Sequence, residues 1–144
     1  MIRNNISIIF QNNNLLSDFT SLENVAIPLI IRGNDYNFSI KKAAKILSGV
    51  NLGHRLDHFP SDLSGGEQQR VAIARSIASD TSIILADEPT GNLDEKTSEE
   101  VFSYFLKLKQ KNKTILIATH NRELARKADY TLTLSNGNIK RADV

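Results

Sequence analysis

The stretch from Leu63 to Asp94, LSGGEQQRVAIARSIASDTSIILADEPTGNLD, leaves this chain few folds to choose from. Ile83, Ile84, Leu85 and Ala86 run without polar interruption into Asp87 and Glu88. A strand covered on both faces of a parallel sheet reads this way just before its carboxyl end, and ligands of such sheets bind at that end. Upstream, Ser64-Gly65-Gly66-Glu67 opens a segment in which Val71, Ile73, Ala74, Ile77 and Ala78 recur at helical spacing. Ser64 and Glu67 stand three apart, as in a capping box, and could simply satisfy helix-end amides. The two glycines are harder to explain as capping. They weaken a helix start and leave backbone amides accessible, and an anion can dock on such amides.

The adjacent carboxylates invite chemistry as well. Neighbouring strand residues point to opposite sides, so one of Asp87 and Glu88 can serve a metal while the other faces water. Taken alone, such a pair is more often a solvated strand terminus. Asn92-Leu93-Asp94 follows as a turn, with Asp94 placed to cap the next helix.

The rest of the chain fills in an α/β pattern. After a short polar start, Met1 to Asn5, Ile6 to Phe10 reads as a strand that Gln11 ends. Thr20-Ser21-Leu22-Glu23 fits a capping box before a helix carrying Leu22, Val25, Ala26, Leu29 and Ile30, which Pro28 should kink or shorten. Ser39 is expected to cap a second helix with Ile40, Ala43, Ala44, Leu47 and Val50 on one face. A helix with Val101, Phe102, Phe105 and Leu106 runs to about Lys111, and Thr114 to Ala118 reads as a second buried strand ending in Thr119-His120. A short helix, Arg122 to Ala128, precedes Thr131 to Leu134, an Asn136-Gly137 turn and Ile139-Lys140, a hairpin signal.

Composition excludes several classes of function. The 144 residues carry a formal charge of +2 with no Lys/Arg block, so nucleic-acid binding is not expected. There is no cysteine, hence no disulfide framework or thiolate metal site. The longest apolar stretch, Val25 to Ile31, is broken by Pro28 and falls far short of the ~20 residues that span a bilayer. No signal peptide is recognisable. Membrane association is then expected to come through a partner.

LSGGEQQR, IILADEP, GNLD and Thr119-His120, in this order and spacing, resemble the signature motif, Walker B segment, D-loop and switch histidine of the ATP-binding-cassette (ABC) ATPases. Residues 15 to 33, LLSDFTSLENVAIPLIIRG, are similar to the ATPase subunits of bacterial lipoprotein-releasing exporters. The resemblance implies an α/β P-loop NTPase fold of the ABC type, with a helical signature subdomain over about 15–80 and a core over about 81–144. It implies ATP and Mg²⁺ as ligands and a position on the cytoplasmic face of the bacterial inner membrane. The implied partners are transmembrane permease subunits and a second ATPase subunit in a head-to-tail dimer. By the same resemblance Gln11 touches metal and attacking water, Asp87 orients Mg²⁺, Glu88 polarises the water and His120 contacts the γ-phosphate. Ser64, Gly65, Gly66, Glu67 and Asp94 bind the ATP held by the opposite subunit, Asp94 from a loop that crosses the dimer interface. His54 and His58 receive no role.

One departure matters. The sequence contains no G-x-x-x-x-G-K-S/T, the loop whose amides and lysine cradle the β- and γ-phosphates. The chain therefore reads as the later part of a family domain. The strand carrying that loop is expected to neighbour Ile83 to Ala86, so that its loss leaves the latter strand with an unpaired edge and exposed apolar side chains. An inactive subunit, or a binding module that donates only its signature face in trans, is the alternative to an active ATPase. Ser7 also stands where relatives commonly have glycine, a change a β-position should tolerate.

Overall fold

The computed structural model describes residues 5–110 and 112–142, so the expectations for residues 1–4 and for Lys111 lie outside the described residues. Three parallel strands, β1 (Ile6–Ile9), β2 (Ile83–Asp87) and β3 (Thr114–Ala118), form a sheet in the order β1-β2-β3. Ile8, Leu85 and Leu116 stand opposite one another across it. The expected open edge on β2 is therefore wrong. Both edges of β2 are hydrogen-bonded, and among the described residues β1 and β3 are the outer strands of the sheet.

The expectation of two covered faces fails for the same sheet. Ile84 and Ala86 are buried while Ile83 and Leu85 are only half-buried, and β3 alternates between half-buried and exposed residues. Ile8 and Leu116 are 48% and 56% exposed, so the face they share with Leu85 is open. An uninterrupted apolar run reports what a strand could bury, and the helices here pack on one side.

Three helices, α1 (Ser21–Ile31), α2 (Tyr36–Gly49) and α3 (Gly65–Ala78), pack on one another, and α3 also touches β1 and α4 (Glu95–Lys109). The core runs through them: Val25, Ala26, Leu47, Leu52, Val71, Ile73, Ile84 and Val101 are almost fully buried. At the start of α1, Thr20 accepts from the Glu23 amide while the Glu23 carboxylate accepts from the Thr20 amide, completing the box read from the sequence. Pro28 lies inside α1, which continues to Ile31. Ser39 does not cap α2. That role falls to Asp35, whose carboxylate accepts from the Phe38 amide, and the Ser39 hydroxyl donates back to the Asp35 carbonyl within the first turns. Both residues are good caps, and the one nearer the preceding turn starts the helix four residues earlier.

Beyond β3, the short helix α5 (Arg122–Arg126) leads to the hairpin of β4 (Thr131–Ser135) and β5 (Asn138–Ala142). Asn136 and Gly137 both have positive φ, 49° and 75°, as a two-residue turn matched to strand twist requires. Ser7 is accommodated without loss: its hydroxyl lies 2.6 Å from that of Ser76 and accepts from Thr81 at 2.9 Å, tying β1 to α3 and to the turn before β2.

A candidate phosphate-facing site built from two loops and a helix start

At the carboxyl end of the sheet, β2 stops at Asp87 and the chain turns sharply. Glu88 has φ 41°, a left-handed conformation that a residue with a side chain adopts only where its surroundings hold it. Its amide donates to the Ala118 carbonyl at 2.9 Å and its carbonyl accepts from the Gly91 amide at 3.1 Å. The separation of Asp87 from Glu88 thus comes from this turn, not from strand alternation: Asp87 is exposed and Glu88 faces the end of β3. There the Glu88 carboxylate accepts from the His120 amide at 2.8 Å and from the Thr119 hydroxyl at 3.1 Å, and lies 2.6 Å from His120 Nδ1. Burial pushes the Glu88 pKa up, but the hydrogen bonds from His120 and Thr119 outweigh it and hold the carboxyl below its ordinary range. The group is an ionised acceptor, and it fixes the orientation of the exposed His120 ring.

Gln11 follows β1 at the same end. Its Nε2 stands 3.3 Å from where a Cβ on Gly91 would lie, so the glycine gives the amide its room. Gln11, Glu88, Gly91 and Gly65 line one cavity of about 260 Å³. Ser64, Gly65, Gly66, Asp94 and Thr97 line a second, of about 460 Å³. Asp87 and His120 line neither.

The signature turn is built as the sequence suggests, with one difference. Ser64 caps α3, accepting from the Glu67 amide at 3.3 Å, and Glu67 accepts in return from the Ser64 amide at 2.8 Å. Glu67 also takes a 2.9 Å hydrogen bond from Arg55 Nε. Burial raises its pKa, yet the Ser64 amide and Arg55 together lower it below the usual carboxylate value. With its oxygens so engaged, Glu67 holds Ser64 and the turn that it opens. The two glycines differ. Gly65 is exposed and a Cβ there would meet only Leu93 at 3.8 Å, whereas a Cβ on Gly66 would stand 2.5 Å from Thr97 Cγ2. Gly66 is buried against the first turn of α4, which Asp94 caps by accepting from the Thr97 amide and hydroxyl at 3.1 and 2.6 Å. The hydroxyl first and then the amide of Thr97 hold the Asp94 pKa down.

The donor set fits a divalent cation carried in by a ligand better than a resident one. Asp87 is a hard oxygen donor, but among the described residues no three His, Cys, Asp or Glu side chains come together as a metal site. Mg²⁺ bound through one or two carboxylates plus phosphate oxygens has that character. No helix among the described residues is long and apolar enough to cross a membrane. Sequence reading missed Arg55 and Thr97, and gave Thr119 no role apart from His120. Arg75, inside the otherwise apolar helix VAIARSIA, was the clearest unused signal, because a charge in such a helix needs a partner.

Residues 1–91 match the ABC transporter family. The chain is 55% identical over 133 residues to the lipoprotein-releasing system ATP-binding protein LolD of Rickettsia typhi, covering 92% of this chain and 60% of that protein. It is 47% identical over 142 residues to LolD of Nitrobacter hamburgensis, covering 98% and 61%. It thus spans about 60% of the length of these curated relatives. Its structure is similar to that of a dimeric ATP-binding cassette in a post-hydrolysis state bound to ADP and Pi, with a TM-score of 0.85 and 37% identity over 96% of this chain and 63% of the other. A second similar structure is a dimeric bacterial ABC transporter cassette, with a TM-score of 0.85 and 38% identity over the same shares. With the capped signature turn, the carboxylates at the sheet end and the matched family together, the chain belongs to the ABC transporter family, with the fold of its ATPase cassettes.

Proposed function

We propose that the chain serves as the ATP-binding, ATP-hydrolysing part of a membrane ABC exporter that releases lipoproteins. It works at the cytoplasmic face of the bacterial inner membrane, with transmembrane permease subunits and a second ATPase subunit as partners. The lipoprotein assignment is supported by the LolD relatives. The observation that carries the nucleotide assignment is the capped turn at Ser64 and Gly65, open to solvent beside Asp94. A helix start favours an anion, and although the Ser64 amide is taken by Glu67, Gly65 has no side chain to keep a phosphate away. The helical subdomain of about 15–80 presents this turn, and the segment of about 81–144 carries the carboxylates.

The chemistry follows from what each side chain can do. Glu88, ionised and oriented by His120 and Thr119, polarises a water molecule for attack. Gln11 positions that water from the facing loop. His120, held by Glu88 at Nδ1, presents its other edge to the γ-phosphate. Asp87 and Gln11 are the residues that would hold Mg²⁺, which when bound would neutralise charge developing on the phosphates. Positioning and electrostatics do most of the work in this class of reaction.

A second reading is favoured by the sequence itself. These 144 residues contain no G-x-x-x-x-G-K-S/T, so the phosphate-cradling loop has to come from another polypeptide or from sequence outside them. The Ser64-Gly65 turn can then act in trans, closing over ATP bound by an intact subunit. Co-purification with an intact LolD-type subunit, followed by nucleotide counting, tests this. One nucleotide per mixed dimer, weakened by Gly65→Trp, is expected for a donor in trans. Two nucleotides, or no effect of the tryptophan, refutes it.

A further inference from the structure

The loop that leaves β1 turns on two consecutive left-handed residues, Asn13 at φ 58° and Asn14 at φ 44°. Asparagine tolerates this region better than most residues, yet a consecutive pair persists only where something holds it. The holding group comes from α3. Arg75 Nη2 donates to the Asn13 carbonyl and Nη1 to the Asn14 carbonyl, each at 2.8 Å. A planar guanidinium can bridge two successive carbonyls in this way, and a lysine ammonium cannot reproduce that fork. Val71, Ala72 and Ala74 around it on α3 are buried, and burial pulls the Arg75 pKa down. The guanidinium is half-buried, and the two carbonyls give it acceptors on the protein side.

The same two elements also face each other across the cavity beside Gln11. Asn13 Oδ1 and Gln69 Nε2, an acceptor and a donor, are buried and have no hydrogen-bond partner among the described residues. Both residues line the 260 Å³ cavity shared with Gln11 and Glu88, which is polar and large enough for water to join them. Gln11 lies two residues before Asn13, with its amide over Gly91.

We propose that Arg75 is the positioning residue for Gln11: by gripping the carbonyls of Asn13 and Asn14 it fixes the left-handed loop and holds the Gln11 amide beside Glu88. The functional meaning rests on the reading of Gln11 as the water- and metal-facing residue, whereas the geometry does not. One consequence is that α3 carries the Ser64-Gly65 turn at one end and the Gln11 loop along its side, so a tilt of this helix moves both together.

The test uses the chain itself, labelled with ¹⁵N at its glutamine side-chain amides. There are four such residues, Gln11, Gln68, Gln69 and Gln110. Arg75→Ala is expected to shift the Gln11 and Gln69 signals and to speed backbone hydrogen exchange across residues 10–16 roughly tenfold, by local opening. The signal of Gln110, at the C-cap of α4, and exchange in β2 and β3 should stay as they are. Arg75→Lys should fall between the two, because one ammonium can restore one carbonyl contact. An unmoved Gln11 signal in Arg75→Ala overturns the proposal. If that variant loosens the whole chain, Arg75→Lys decides: a shifted Gln11 signal upholds the proposal, and a spectrum identical to the parent's refutes it. No nucleotide is present in this experiment, so its failure is distinct from failure of the Gly65→Trp test.

Discussion

Replacing Gly66 by alanine tests whether this glycine serves the fold or a ligand. The added methyl would lie 2.5 Å from Thr97 Cγ2, about 1–1.5 Å inside ordinary carbon–carbon contact of about 3.5–4.0 Å. Thr97 has little freedom to retreat. It is β-branched, and its hydroxyl and amide are both bonded to the Asp94 carboxylate, so rotating the methyl away breaks the 2.6 Å hydroxyl contact. The alternative is to push α3 away from α4. Overpacking of this kind costs about 1–3 kcal/mol, offset by a helix-propensity gain of up to about 1 kcal/mol. Taking the middle of both ranges, a net loss of about 1–2 kcal/mol is expected in chemical denaturation. Gly65→Ala, with its nearest neighbour at an ordinary 3.8 Å, should be neutral or slightly stabilising. Thr97→Ser removes the offending methyl and keeps the capping hydroxyl, so adding Gly66→Ala to it should cost less than about 0.5 kcal/mol, within the scatter of additive sites. If Gly66→Ala is as stable as the parent, or Thr97→Ser fails to relieve it, steric contact is not why this position is glycine.

Three further outcomes follow from the same contacts. Ser64→Ala removes the α3 cap and should lower stability by about 1 kcal/mol in denaturant titration, with Ser64→Asn largely sparing it. The Glu67 carboxyl has a folded pKa below its ordinary value, so its contribution is fully present above the ordinary carboxylate range and lost as pH falls through the folded value. Glu67→Gln should therefore be less stable than the parent at neutral pH, with the gap closing in acid; a pH-independent gap would contradict the assignment. The 144-residue chain alone should hydrolyse ATP no faster than background in a phosphate-release assay, and turnover abolished by Glu88→Gln would mean that an unrecognised segment replaces the phosphate loop.

What the sequence determined by itself was local. The caps at Thr20, Ser64 and Asp94, the strand Ile83–Asp87 and the Asn136-Gly137 turn could be read because each depends on residues within one or two turns of chain. The family resemblance was legible for a related reason, since its motifs are short strings. Tertiary structure decided what depends on approach between distant segments. Strand order put β2 between two partners, and helices on one side left Ile8 and Leu116 open, although the apolar runs alone suggested full cover. Glu88 took its direction from a left-handed turn pinned to Ala118 and His120, about thirty residues away, and no periodicity reports such a pairing. Gly65 and Gly66 are neighbours of identical composition; only the arrival of Thr97 from α4 makes one of them sterically necessary and leaves the other free to face a ligand.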